Sequence, residues 1–421
     1  MRTRSKLLGL VFGGELDPLL RRVLLAQFAS TVAIAGFWYY VGIWAIRSLG
    51  AGSSQLGVTF LLDAAAGAAG AYVGGHLSDR LGRKPPILFS WGGQAVLVAV
   101  YPFVDHHVYL GLALIPLTAL IAGPALSSAQ ALIADVVPPD EHEAGYAANR
   151  VSLNLAVILG PSLAALLLIG ENWQRMFFGL AALEAAAFVF GWRTLPVRGP
   201  YAGEQDASDG SSFAVIRRDR VFLVFLASAI LAYVVYFGFE TVLPIVAVAS
   251  YGLTPSAWGF LVVLNAGAVA LFQIRLTRRV ERVSPTLKLL VALPLMGFSF
   301  LLLLVDTSLA AIVAVLLVFV LGEMLWAPTS QAIAARLAPV EVRGAYMGAY
   351  GTASSFGFAL GPLCALQLRG AIGDAPVWIF LAAASVMAAA AGAVAARRAH
   401  RPRPRPGGEA MVIPDTASDL S

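Results

Sequence analysis

The chain of 421 residues is 59% hydrophobic and only 13% charged, against about 25% charged for a soluble globular domain, which excludes a protein with a mainly water-facing surface. Its net charge of +5 comes from basic residues in short loops beside apolar segments, and this points to a membrane boundary and away from nucleic acid. A single cysteine, Cys364, excludes an intrachain disulfide and a cysteine-based metal site.

The apolar run behind Arg2, Arg4 and Lys6 is broken by Glu15 and Asp17 and lacks a small-x-small cleavage site, so residues 1–22 read as a cytoplasmic lead-in and not a signal peptide. Twelve apolar segments follow, over 23–46, 54–74, 86–104, 109–135, 147–169, 176–195, 222–248, 257–275, 286–305, 309–335, 346–368 and 376–396. Runs of about 20 residues cross a hydrocarbon core of about 30 Å. Lipid leaves backbone groups no partner outside their own segment, so each is predicted to be a helix. Abundant Gly and Ala suit close packing between them. The polar stretch 196–220 has a flexible-linker composition and divides the chain into six-helix halves, 23–195 and 221–396. The Pro/Arg-rich tail, 397–421, is expected to be disordered. With both termini in the cytoplasm, only Arg47, Arg175 and Arg369 of the 29 Lys and Arg fall outside, which fixes the predicted orientation in the cell membrane. Tyr39, Tyr40 and Trp44 then read as an outer aromatic belt.

The loop between the second and third segments reads Gly75-His-Leu-Ser-Asp79-Arg80-Leu-Gly82-Arg83-Lys84-Pro-Pro-Ile87. It resembles the first-loop signature of the major facilitator superfamily of secondary transporters. Gly75 and Gly82 suit a tight turn and close approach, while Arg80, Arg83 and Lys84 sit at the cytoplasmic boundary. Asp135, at the end of the fourth segment, is an expected partner for one of these arginines. The resemblance implies that Asp79 accepts hydrogen bonds from the start of the eleventh helix, and that the whole loop acts as a conformational latch. The second-half counterpart, residues 273–282, is basic but has lost both glycines and the acid.

The halves also carry an internal repeat. Gln130 and Gln331, Pro138 and Pro339, Gly160 and Gly361, and Pro161 and Pro362 are each 201 residues apart. Parallel repeats of this kind accompany a substrate site near the midplane. The combined resemblance implies an all-α membrane fold of twelve helices in two pseudo-symmetric bundles. It further implies that helices 1, 4, 7 and 10 line a central cavity while 3, 6, 9 and 12 support it.

Four acids lie inside segments: Asp63, Glu184, Glu240 and Glu323. An ionised carboxylate at mid-membrane costs about 3 kcal/mol on insertion scales, so acids kept there are candidates for exchanging a proton. Glu323, on a helix that the resemblance places at the cavity, is the foremost candidate. Glu240 either shares that role or reaches the outer water. Asp63 either functions or bonds a neighbouring helix, and Glu184, on a support helix, reads as structural. Arg150 and Asn154 share one helix face; Arg150 pairs with an acid such as Asp135 or orients an anionic substrate. Asn265 and Gln27 are polar cavity candidates, and Tyr236 belongs to a set of aromatics with Phe37, Trp38, Tyr39, Tyr233, Phe237 and Trp326 suited to lipophilic cations. Gly160-Pro161 and Gly361-Pro362 permit helix bends; the first resembles an antiporter motif in which Ala164-Ala165 replaces paired glycines. No phosphate loop is present, and His106-His107 alone make a poor metal site.

These features predict a non-enzymatic, proton-coupled exporter of lipophilic or cationic small molecules, working in the bilayer as a monomer without a cofactor or metal. A metabolite uptake symporter or uniporter of the same fold, and a membrane receptor or scaffold without transport, remain as alternatives.

Overall fold

The computed structural model describes residues 17–138, 142–200, 211–339 and 342–399. Twelve of its helices are long and apolar enough to span a membrane. In chain order these are α1 (Pro18–Arg47), α2 (Ser53–Leu81), α3 (Lys84–Phe103), α4 (Val108–Val136), α5 (His142–Leu167) and α6 (Trp173–Thr194). The second set is α7 (Arg220–Ser250), α8 (Pro255–Arg279), α9 (Pro285–Leu304), α10 (Leu309–Leu337), α11 (Arg343–Ile372) and α12 (Ala375–Ala399). A short helix, Ser211–Arg218, precedes α7. The N-terminal residues 1–16, linker residues 201–210 and the tail from His400 lie outside the described residues.

Local chemistry sets the starts. Asp17 caps α1 by accepting from Leu19 N at 2.7 Å and Leu20 N at 3.2 Å, with Pro18 at the first helical position. Thr254-Pro255 and Ser284-Pro285 open α8 and α9 in the same way. A hydroxyl or carboxylate takes up an orphan N–H, and proline gives none up there. The first helix therefore begins at Pro18, inside the predicted lead-in.

Each half repeats one packing scheme. In the first, α1 packs on α5 and α6, α2 on α4, and α3 on α4 and α6; in the second, α7 packs on α11 and α12, α8 on α10, and α9 on α10 and α12. Gly160 of α5 abuts Val32 and Gly36 of α1, and its repeat partner Gly361 of α11 abuts Val234 of α7. Helices α5 and α11 run on through Pro161 and Pro362. Within the first half the closest approach is α2 on α4, where Gly70 and Gly74 lie against the backbone of Leu120 and Pro124.

The halves meet at one end. Outer and inner here follow the orientation that the loop charges predict. At the outer end, Gly57 of α2 packs on Pro362 O and Leu366 of α11, and Gly259 of α8 packs on Pro161 O and Ala165 of α5. Pro161 and Pro362, and Ala165 and Leu366, are both 201 residues apart. The two crossings are thus copies of one contact. Space for a side chain also lies open beside Gly75, Gly267, Gly348 and Gly351, as it does beside Gly50, Gly170, Gly252 and Gly373 in the outer loops. Among the described residues, the crossings of α2 on α11 and of α8 on α5, which join the halves, lie at the outer end.

Candidate functional site

Helix α7 is interrupted by a π turn, Gly238–Val242. Such turns insert one residue into the helical ladder and recur at functional sites. Here the turn carries Glu240. Its Oε1 accepts a hydrogen bond from Tyr236 of the same helix and another from Tyr39 of α1, each at 2.9 Å. The Tyr39 bond joins the two halves. Glu323 of α10 lies close enough to interact electrostatically with Glu240 and Tyr39, and Asn265 of α8 lies beside it. Four helices thus bring together two carboxylates, two phenols and an amide. The two tyrosines meet Oε1 of Glu240, while the residue as a whole is half-buried. Tyr236 also meets Trp326, Phe237 and Phe319 in an aromatic shell, and Trp326 meets Tyr233.

Tyr39, read from the sequence both as a belt residue and as one of the cavity aromatics, donates to Glu240, and the two are 201 residues apart. That is the offset of the internal repeat, so each occupies the other's equivalent position. Equivalent positions meet only at the axis relating the halves. Applying the offset to the buried acids would have found the pair.

A second polar region belongs to the first half. Gln27, Ser30 and Trp38 of α1, Asp63 of α2, and Trp91 and Gln94 of α3 line a cavity of about 660 Å³ that also touches Phe358 of α11. Asp63 is 3% exposed, and its Oδ1 has no hydrogen-bond partner; the neighbour-helix bond considered for it is not made by this oxygen. Glu184 of α6 is buried and accepts from Ser30 Oγ at 2.7 Å. Phe37 is fully buried against Tyr101 and Phe177 within the first half, a packing residue and not part of a cavity wall.

The α2–α3 turn closes around Arg83. Gly82 holds φ +88°, a backbone conformation open to glycine, and a side chain there would strike Val197. The turn lets Arg83 N donate to Val197 O at 2.8 Å. The guanidinium donates to Asp135 at 2.8 Å, Asp79 at 2.7 Å and Ser78 at 3.1 Å. Burial opposes its charge, but Asp135 and Asp79 outweigh that and hold it protonated above the ordinary arginine range. Lys84 Nζ donates to Trp192 O at 2.7 Å, and Arg80 is exposed.

Three expectations change here. Asp79 is bonded to Arg83 and largely exposed, while α2 meets α11 at the opposite, outer end, so the bond expected at the start of α11 is not seen among the described residues. Gly75 has open space beside it, and the close approach belongs to Gly74. Asp135 is taken by Arg83, and Arg150, exposed like Asn154, forms no ion pair among the described residues.

Sequence reasoning assigned no role to Arg369, which clamps the outer end. It donates to Asp374 at 2.8 Å, Ser250 at 3.1 Å and, across the halves, Ser53 at 2.7 Å. A hydrogen bond to a charged group contributes about 1.5–3 kcal/mol. Arg369→Ala is therefore expected to raise the outer-open population about tenfold or more. Spin labels at Tyr109→Cys and Leu309→Cys, in a Cys364→Ser background, will read this as a longer distance across the outer face.

Comparison with known proteins accords with this architecture. Residues 23–362 match the family model described as Major Facilitator Superfamily. The uncharacterised MFS-type transporter YqjV of Bacillus subtilis (strain 168) is 22% identical over 87% of this chain and 90% of its own. A Na(+), Li(+), K(+)/H(+) antiporter of Planococcus maritimus is 21% identical over 81% and 87%. The solved structure of the nucleoside transporter NupG superposes with a TM-score of 0.72 at 15% identity, covering 91% of this chain and 100% of that one.

Proposed function

The chain belongs to the Major Facilitator Superfamily of membrane transporters, and from that premise we propose that it is a proton-driven exporter of lipophilic, cationic small molecules working by alternating access. Both termini lie on the cytoplasmic side of the cell membrane in this reading.

The observation that carries the proposal is the bonding of Glu240 across the axis. A carboxylate accepts hydrogen bonds about twice as strong as a neutral group does. A proton arriving at Glu240 therefore weakens both tyrosine bonds, including the Tyr39 bond that holds the halves together outside. Loss of the proton restores them. The protonation state of Glu240 thereby biases the balance between the outer-closed and outer-open arrangements, as exchange against protons requires. Glu323, placed within reach of the same field and beside Asn265, is the second carboxylate through which the proton passes. A nearby negative charge makes it unfavourable for both to be ionised together. Gly82, Asp79, Arg83, Lys84 and Asp135 form the inner latch in this scheme, with Arg80 exposed beside them. Gly75 is the surface that the inner end closes against. The antiporter of Planococcus maritimus, similar over most of its length, gives independent support for exchange against protons.

In inside-out proteoliposomes, an inside-acid gradient is expected to drive accumulation of a cationic dye. Glu240→Gln and Glu323→Gln keep side-chain shape but cannot take a proton. Each is expected to reduce gradient-driven accumulation at least about tenfold while leaving the melting temperature within a few degrees. Full accumulation in both variants would sink the proton pathway. Accumulation that follows the proton, and not the opposite direction, would identify an uptake symporter instead.

A further inference from the structure

We infer that the cavity of the first half is the substrate's cation site and that it selects cations bearing N–H groups, with Asp63 as the counter-charge. The inference rests on the transporter reading above and deepens it by separating the substrate's charge from the carboxylates at the axis.

The cavity is rich in unfilled acceptors. Asp63 Oδ1, Gln94 Oε1 and Gln27 Oε1 are buried and have no hydrogen-bond partner, and all three residues line the same space. The Gln94 amide N–H donates to Ser90 O at 3.2 Å, which leaves the carbonyl oxygen without a partner. Asp63 is the one charged residue of the lining, which holds no Lys, Arg or His. An acceptor buried without a donor is unfavourable by about 1–3 kcal/mol and more for a charged group. No donor of the protein meets these oxygens, so a ligand that brings several donors and a positive charge complements them.

The rest of the wall sets its shape. At about 660 Å³ the space lies in the range of small-molecule pockets, roughly 300–1,000 Å³, and far exceeds a bare alkali ion. Trp38, Trp91 and Phe358 offer aromatic faces, which attract organic cations. Alanines and glycines of α2 and α4 make up much of the remainder and leave room for an apolar body. A primary or secondary ammonium on a lipophilic frame satisfies both requirements. A quaternary ammonium fits the aromatic faces but fills none of the orphan oxygens.

Purified full-length protein is titrated, without any proton gradient, with 3,3-diphenylpropylamine and with its N,N,N-trimethylammonium counterpart, read by quenching of tryptophan fluorescence. The primary amine is expected to bind at least about tenfold more tightly. Asp63→Asn is expected to remove that preference, and Gln94→Leu to reduce it severalfold, with melting curves confirming that both variants are folded. Equal affinity for the two amines, or an unchanged preference in folded Asp63→Asn, would overturn the inference. Binding is read without a gradient, so a failure of proton-driven flux would count against the transport mechanism and leave this result standing.

Discussion

Replacing Arg83 with alanine is expected to destabilise the protein by about 3–5 kcal/mol, the usual effect of removing one partner of a buried ion pair. The side chains of Arg83 and Asp135 are 11% and 5% exposed, so water cannot substitute for the lost guanidinium. Asp135 would be left buried and uncompensated. Ser78, also buried, would lose its donor as well. The effect is asymmetric: Arg83→Met combined with Asp135→Leu removes both charges together and is expected to recover most of the loss, because a buried pair replaced by apolar side chains is often neutral in stability. Melting temperatures of the single and double variants, in detergent at one lipid ratio, check the sign and the recovery. Equal destabilisation in single and double variants would show that packing, not charge, holds this turn.

The second large effect comes from adjacent glycines. Gly74→Ala and Gly75→Ala carry the same propensity gain, about 1 kcal/mol in favour of the helix. Their surroundings differ completely. A methyl group at Gly74 overlaps the backbone of Pro124, whereas one at Gly75 meets nothing. Overpacking typically costs about 1–3 kcal/mol, and a neighbour that is backbone yields less than a side chain. Gly74→Ala is expected to destabilise, and Gly75→Ala to be neutral or stabilising. Gly75→Leu extends the test: melting unchanged, but transport slowed severalfold, because the bulky side chain obstructs closure of the inner end. Unfolding and flux measured on the same preparations separate the two outcomes.

Much of the architecture was readable from composition, because lipid imposes long apolar segments and loop charge imposes direction. The edges of α7 and α8 were legible through Asp219 and Thr254-Pro255, which cap their helices chemically. The repeat was legible as well, but only as an offset. What it implied at Tyr39 needed the knowledge that equivalent positions touch, which is a fact about the axis and not about any local window. Gly75 and Gly74 show the same limit: a turn motif tells which residue types are needed, while the register of α2 against α4 decides which glycine is pressed. The acceptor cavity was the least legible. Asp63 stood out as a buried acid, but Gln94 sits on α3, a helix assigned to support. Only packing brings its carbonyl beside Asp63. Arg150 was read through its charge, and Asp135, its expected partner, was already held by Arg83 on the neighbouring turn.

The bond between Tyr39 and Glu240 also bears on how such a chain came to exist. In a molecule of two identical halves, a contact on the axis is isologous, and each residue there faces its own copy. A pair of tyrosines would offer no carboxylate, and a pair of glutamates would be held only by sharing a proton. A donor facing an acceptor on that axis requires that the halves have already become different. This donor–acceptor form of the contact is therefore a product of divergence between the halves.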